Sequence, residues 1–159
     1  MRTILTAVFL ILLWPISAGA HELRPAVADI RFSEGIFEVD FRVTLEALIA
    51  EVDPNLADTA DSENAERYDA LREMTPDILA SEFDGFEVQF LSTISVKIDG
   101  QALPTTVTAI IIPEVGDLDL VRDSTLTISG AVPAGAQELV FGWAESLGPL
   151  IVRVTTIEG

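Results

Sequence analysis

Cysteine is absent from this chain of 159 residues, histidine occurs once (His21) and lysine once (Lys97). Without a thiol there is no disulfide framework, no thiolate metal site and no thiol nucleophile. With a single imidazole, a nucleophile–base triad of the usual kind cannot be assembled. Basic residues are scarce, 9 against 26 acidic ones, for a formal net charge of −17. Such a surface repels phosphate backbones and anionic lipid headgroups, which argues against nucleic acid as a partner. No glycine-rich phosphate loop, internal repeat or low-complexity tract is present. What this charge can gather is cations. The plainer reading is a solvated acidic coat that keeps the protein soluble.

The first twenty residues differ from the rest. A short basic start (Met1, Arg2) leads into an apolar run from Ile4 to Ile16, interrupted by Pro15, and then into Ala18-Gly19-Ala20. This pattern predicts a secretory signal peptide over residues 1–20, with Ala18 and Ala20 as the small residues of the cleavage site. The run falls short of the roughly 20 apolar residues a membrane span needs. An uncleaved anchor is the alternative. Cleavage leaves a mature chain starting at His21, outside the cytoplasm, in the periplasm or on the outer face of the inner membrane. Residues 21–159 are then one domain, long enough to build a core without disulfide staples.

Beyond the leader the dominant period is two. Phe37, Val39, Phe41 and Val43 alternate with Glu38, Asp40 and Arg42, and a similar run spans 27–32. With Ser33-Glu34-Gly35 between them, these two segments predict a hairpin. Alternation returns at 94–98, before Asp99-Gly100, and again at 125–129, 138–143 and 150–156. Residues 104–112 are rich in β-branched side chains. Between these strand blocks, about 45–92 reads as helical. It holds a short turn at 45–50, a helix capped by Ser62 and running to about Met74, and a third helix restarted by Thr75-Pro76-Asp77. Ile78, Leu79, Phe83, Phe86, Phe90 and Leu91 recur at helical spacing, with Gly85 weakening the pattern. The expectation is a mainly β protein, a β-sandwich of immunoglobulin-like or related type with a helical insertion at about 45–92. Phe41, Val96, Ile128, Phe141 and Val152 are expected in or beside one core, and the helical block over one end or an open edge. Trp143 is expected to be packed, its truncation to alanine then costing about 3–5 kcal/mol.

Candidate chemistry is thin. His21, if exposed by cleavage, offers an α-amine and an imidazole that could chelate one Cu(II)-like ion, but no second imidazole exists to complete the site. Asp117, Asp119 and Asp123 could hold Ca²⁺ or Mg²⁺ loosely, though their spacing is not that of an EF-hand. Arg122 can neutralise a neighbouring carboxylate among them. Asp53, Asn55, Asp58 and Asp61 form a similar acidic loop, without the glycine and closing glutamate of such a site. A pair of carboxylates could do glycosidase-type work, yet so many acids make any chosen pair arbitrary. A non-enzymatic protein is the expectation, with weak divalent-cation binding as its only cofactor chemistry.

Several segments carry a family likeness. His21-Glu22-Leu23-Arg24-Pro25-Ala26-Val27-Ala28-Asp29 resembles the extracytoplasmic N-terminal region of HupE/UreJ proteins, the hydrogenase- and urease-accessory membrane family. Ala65 to Leu71, Pro113-Glu114-Val115-Gly116-Asp117, Phe141-Gly142-Trp143 and Leu147-Gly148-Pro149-Leu150-Ile151 extend the resemblance over most of the mature chain. It implies an exported domain preceding membrane helices that carry a His/Asp motif and serve nickel, or more broadly metal, transport. That motif has no counterpart here, so no family ligand transfers to any residue. The expected partner is then a set of membrane helices, in the same protein or another. The way the chain stops just after a strand suggests a fragment of such a protein. The alternative is a free-standing soluble periplasmic binding module, with a divalent metal as its ligand.

Overall fold

The computed structural model describes residues 23–33 and 35–156. Its first hairpin joins β1 (Ala26–Ser33) to β2 (Ile36–Thr44) in antiparallel register, with Ala28 opposite Phe41. The alternation acts as the pattern demands: Phe37, Val39, Phe41 and Val43 are buried and the charged residues between them face outward. Strand β3 (Ile94–Ile98) turns through Asp99 and Gly100, at φ 47° and 79°, into the two-residue β4 (Gln101–Ala102). Positive φ at both central residues is the twist a tight hairpin needs. The Asp99 carboxylate also accepts the backbone N–H groups of Gln137 and Glu138 and so ties a distant turn to this one.

The remaining strands are β5 (Thr106–Ile111), β6 (Asp123–Ala131), β7 (Leu139–Trp143) and β8 (Leu150–Thr156). They assemble into a five-stranded sheet, ordered β5-β6-β2-β1-β8, and a three-stranded sheet, ordered β4-β3-β7. The last strand runs parallel to the first. The protein is thus mainly β, a β-sandwich with a helical insertion.

That insertion holds α1 (Leu45–Ala50), a 3-10 turn at Thr59–Asp61, α2 (Ala65–Arg72) and α3 (Pro76–Ser92). Pro76 opens α3 where a missing N–H costs nothing. Leu79, Phe83, Phe86 and Phe90 fall on its buried face, while Gly85 points into open space. Helix α3 does more than close an end of the sandwich. Phe90 meets Phe41 edge-on at 6.0 Å, beside Phe141 (6.0 Å) and Trp143 (5.4 Å). The five-stranded sheet is therefore covered by the three-stranded sheet and by a helix together. No helix among the described residues is long and apolar enough to cross a membrane.

Four expectations need correction. Ile78, counted in the apolar stripe, is 52% exposed, because α3 turns Leu79 inward instead. Ser62 does not cap α2: its hydroxyl accepts the Asn64 N–H in a local turn and the helix begins at Ala65. Trp143 is half-buried, its indole N–H donating to the Gly148 carbonyl at 3.0 Å. Truncating it costs less than a fully packed tryptophan would. Val152 lies outside the core, 46% exposed. Paired with Ala28, it shares that residue's inward face, but β8 is an edge strand. The opposing sheet's aromatic contacts fall on Phe41 of β2, and among the described residues of β8 only Leu150 packs against the core.

On the outer face, β8 is fastened to β1 by charge. Arg153 reaches the Asp29 carboxylate with both Nε (2.5 Å) and Nη2 (2.6 Å), and Arg42 stands 3.6 Å away. The hydrogen bonds from Arg153 hold the Asp29 carboxyl below its ordinary 3.8, with partial burial pulling the other way. A depressed carboxyl stabilises the fold above its unfolded value, and that contribution is lost as pH falls through the folded value. Asp29→Asn should therefore flatten the acid limb of a stability-versus-pH curve below about pH 4 and leave its neutral shape unchanged. Chemical denaturation between pH 2.5 and 7 checks this, and an unaltered acid limb would count against it.

Candidate functional site

Helix α1 ends in a way that sequence rules disfavour. Glu51 adopts φ 57° and ψ 42°, its N–H bonding to Leu48 O, while Val52 N–H bonds to Ala47 O at 3.0 Å. This is the paired closure of a Schellman motif, with glutamate where glycine is the usual residue. A left-handed backbone costs an L-residue about 1–2 kcal/mol. Its carboxylate is not left loose: Gln89 Nε2 on α3 donates to Oε1 at 2.6 Å.

Glu51 stands on the rim of a groove of about 660 Å³. The floor is apolar, formed by Val43, Ala47, Leu48, Val52 and Phe86. One wall is the segment Leu23–Ala26 leading into β1; another is the turn Ser146–Pro149 between β7 and β8. These two walls are joined, since Ala26 N–H donates to Pro149 O at 3.0 Å. The indole of Trp143 holds the same turn through Gly148. Gly148 sits at φ +78°, and a Cβ there would come within 2.5 Å of Pro54 Cβ. Only glycine allows both the backbone bend and the approach of the loop that carries Asp53, Pro54 and Asn55. Asp53 Oδ1 accepts from Asn55 N (2.9 Å) and Nδ2 (3.0 Å), which fixes the loop's entry. Grooves of roughly 300–1,000 Å³ with an apolar floor and a few convergent polar groups are the usual form of small-molecule sites.

A second polar feature lies deeper. Glu46 on α1 is fully buried, and Arg122 Nε reaches its Oε1 at 2.6 Å. Arg122 also donates to the carbonyls of Met74 (3.0 Å), Pro113 (3.4 Å) and Leu71 (3.5 Å). The Leu71 carbonyl lies in the last turn of α2 and the Met74 carbonyl just beyond it, where the helical ladder ends. Arg122 was expected to pair with a neighbouring aspartate; it instead joins three distant segments. Among the described residues, Glu46 Oε2, Tyr68 Oη and Ser124 Oγ find no hydrogen-bond partner for their buried atoms. Burial raises the Tyr68 phenol above its usual value, and the Glu46 charge adds to that. With its guanidinium bonded to backbone on three sides, this pair is a structural anchor.

The sequence candidates fall elsewhere. His21, Ala18 and Ala20 lie outside the described residues. Asp117 Oδ1 accepts the Asp119 N–H at 2.9 Å in an exposed turn. Asp123 starts β6 and stands 3.6 Å from Arg24. Asp58 caps the 3-10 turn through Ala60 N–H, and Asp61 ends it. Among the described residues no three histidine, cysteine, aspartate or glutamate side chains gather as a metal site would require. Sequence reasoning missed Glu51 because nothing local marks a left-handed glutamate. Glu46 did leave a signal: one acid inside the apolar hexamer Leu45–Ala50 asks for a buried cation. Comparison with protein-family models, with curated proteins and with solved structures finds no match for this chain.

Proposed function

We propose that the chain is a non-enzymatic, exported recognition domain of the kind that precedes the membrane helices of HupE/UreJ-type metal-transport accessory proteins. Its groove would be the recognition surface. One observation carries this reading. Two of the segments that give the chain its HupE/UreJ likeness, far apart in sequence, meet at the groove. Leu23-Arg24-Pro25-Ala26 forms one wall and Leu147 and Pro149 the other, and they are bonded to each other. Trp143, from a further such segment, supports the second wall from beneath. Ala65, from another, opens the helix whose preceding residue, Asn64, donates to Glu51 O at 3.3 Å.

On this reading the metal chemistry belongs to the membrane helices and the domain contributes binding or assembly. Tight nickel or copper sites use imidazole or thiolate ligands, and the chain has one of the former and none of the latter. Titration calorimetry of the domain with Ni²⁺ should give binding weaker than about 1 μM, or about −8 kcal/mol. Cells lacking the gene should hold less nickel than the parent strain. Tight nickel binding by the domain, or unchanged metal content on deletion, would contradict the proposal.

A further inference from the structure

We propose that the groove takes a small organic cation, an apolar body carrying one ammonium group, with Glu51 and Asp53 receiving the charge. This deepens the reading of the groove as a recognition surface and rests on it. The floor offers apolar contact from Ala47, Leu48, Val52 and Phe86, so the body of the ligand must be apolar to gain from it. The rim decides the charge. Glu51 and Asp53 both line the groove, and among the described residues neither is ion-paired. Each has one carboxylate oxygen engaged by a neutral donor, Gln89 for Glu51 and Asn55 for Asp53. A neutral donor orients a carboxylate without cancelling its charge, and the other oxygen is left to accept. The one basic residue on the rim, Arg24, leans toward Asp123 at 3.6 Å. A cleft with low-dielectric walls in a chain of net charge −17 focuses the field toward cations.

The backbone at Glu51 separates recognition from mere surface charge. A glutamate held at φ 57° at a helix end works against the fold at that position, and glycine would relieve it. An acid kept there, aimed by Gln89 into the rim of an apolar groove, fits a residue that serves a ligand at the expense of stability.

The test uses three probes that share one body: 4-phenylbutylamine, 4-phenylbutanol and 4-phenylbutyrate. Each is titrated into the ¹⁵N-labelled chain at pH 7 and followed by amide chemical shifts. The ammonium should perturb Ala47, Leu48, Val52 and Phe86 and bind at least tenfold more tightly than the carboxylate. Glu51→Gln should reduce that preference to within about threefold. Glu51→Gly should do the same while raising Tm by about 3 °C, since strain is relieved. A purely structural Glu51 would move Tm and leave the preference intact. If the carboxylate binds as well as the ammonium, the cation assignment is overturned while the groove stands as a site. If none of the three perturbs the groove at 10 mM, the small-molecule assignment falls, and only cellular readout of groove-filling variants then bears on the broader reading.

Discussion

Arg122→Ala should destabilise the fold by about 3–5 kcal/mol, the cost of breaking a buried pair by removing one partner. Glu46 would be left in the interior without its counter-ion, since its side chain is 1% exposed and Arg122 is its only ion-pair partner among the described residues. The Met74 carbonyl would lose its Arg122 donor as well, and the Leu71 carbonyl one of its donors. These losses reach α1, α2 and β6 at once, so the helical insertion should loosen before the sandwich does. Urea unfolding followed by far-UV circular dichroism checks the magnitude. The double variant Glu46→Leu/Arg122→Met should recover most of the loss, because an apolar pair of similar volume removes the desolvation penalty together with the attraction. A single variant within about 1 kcal/mol of wild type would show that the pair is solvated in solution.

Phe41→Ala should cost about 3–5 kcal/mol, as for a large aromatic removed from a close-packed core. Its ring is fully buried and touches Phe90 from the helical insertion and Phe141 and Trp143 from the second sheet. It is the side chain through which all three parts of the fold meet. Edge-on and offset aromatic contacts add to the area it removes from water. The midpoint of urea unfolding should fall while the slope stays constant, because the surface exposed on unfolding hardly changes. A loss under about 1.5 kcal/mol would mean that the layers are joined elsewhere.

Period-two alternation was enough to place β2, β3 and β7 and to choose their inward faces, because those strands have one buried side and one exposed. Asp99-Gly100 declared its turn for a local reason, the need for positive φ twice in succession. Edges were harder. Leu150, Val152 and Val154 alternate as a buried strand would, yet an alternating pattern says nothing about whether an opposing layer extends far enough to cover it. The number of strands in the second sheet is a tertiary fact, and it leaves Val152 and Val154 exposed.

The candidate site was less legible than the fold. Carboxylate spacing singles out Asp117, Asp119 and Asp123, yet among the described residues no three acidic side chains gather as a metal site would need. The groove is assembled from Leu23–Ala26, the end of β2 and α1, Glu51–Ala57, parts of α3 and the turn before β8, and no spacing rule joins those segments. Its two walls are brought together by the parallel pairing of β1 and β8, a long-range contact that no local pattern announces.

Filling the groove tests most directly the proposal that it is the recognition surface. Leu48→Trp places bulk on the groove floor, whereas Val88→Trp places the same bulk on the solvent side of α3, where Val88 is 82% exposed. Each variant, after its folding is verified by thermal unfolding, is returned to a strain lacking the gene, and cellular nickel is measured. Val88→Trp should restore parental nickel content, and Leu48→Trp should leave the cells at the level of the deletion. Full restoration by a folded Leu48→Trp would contradict the proposal.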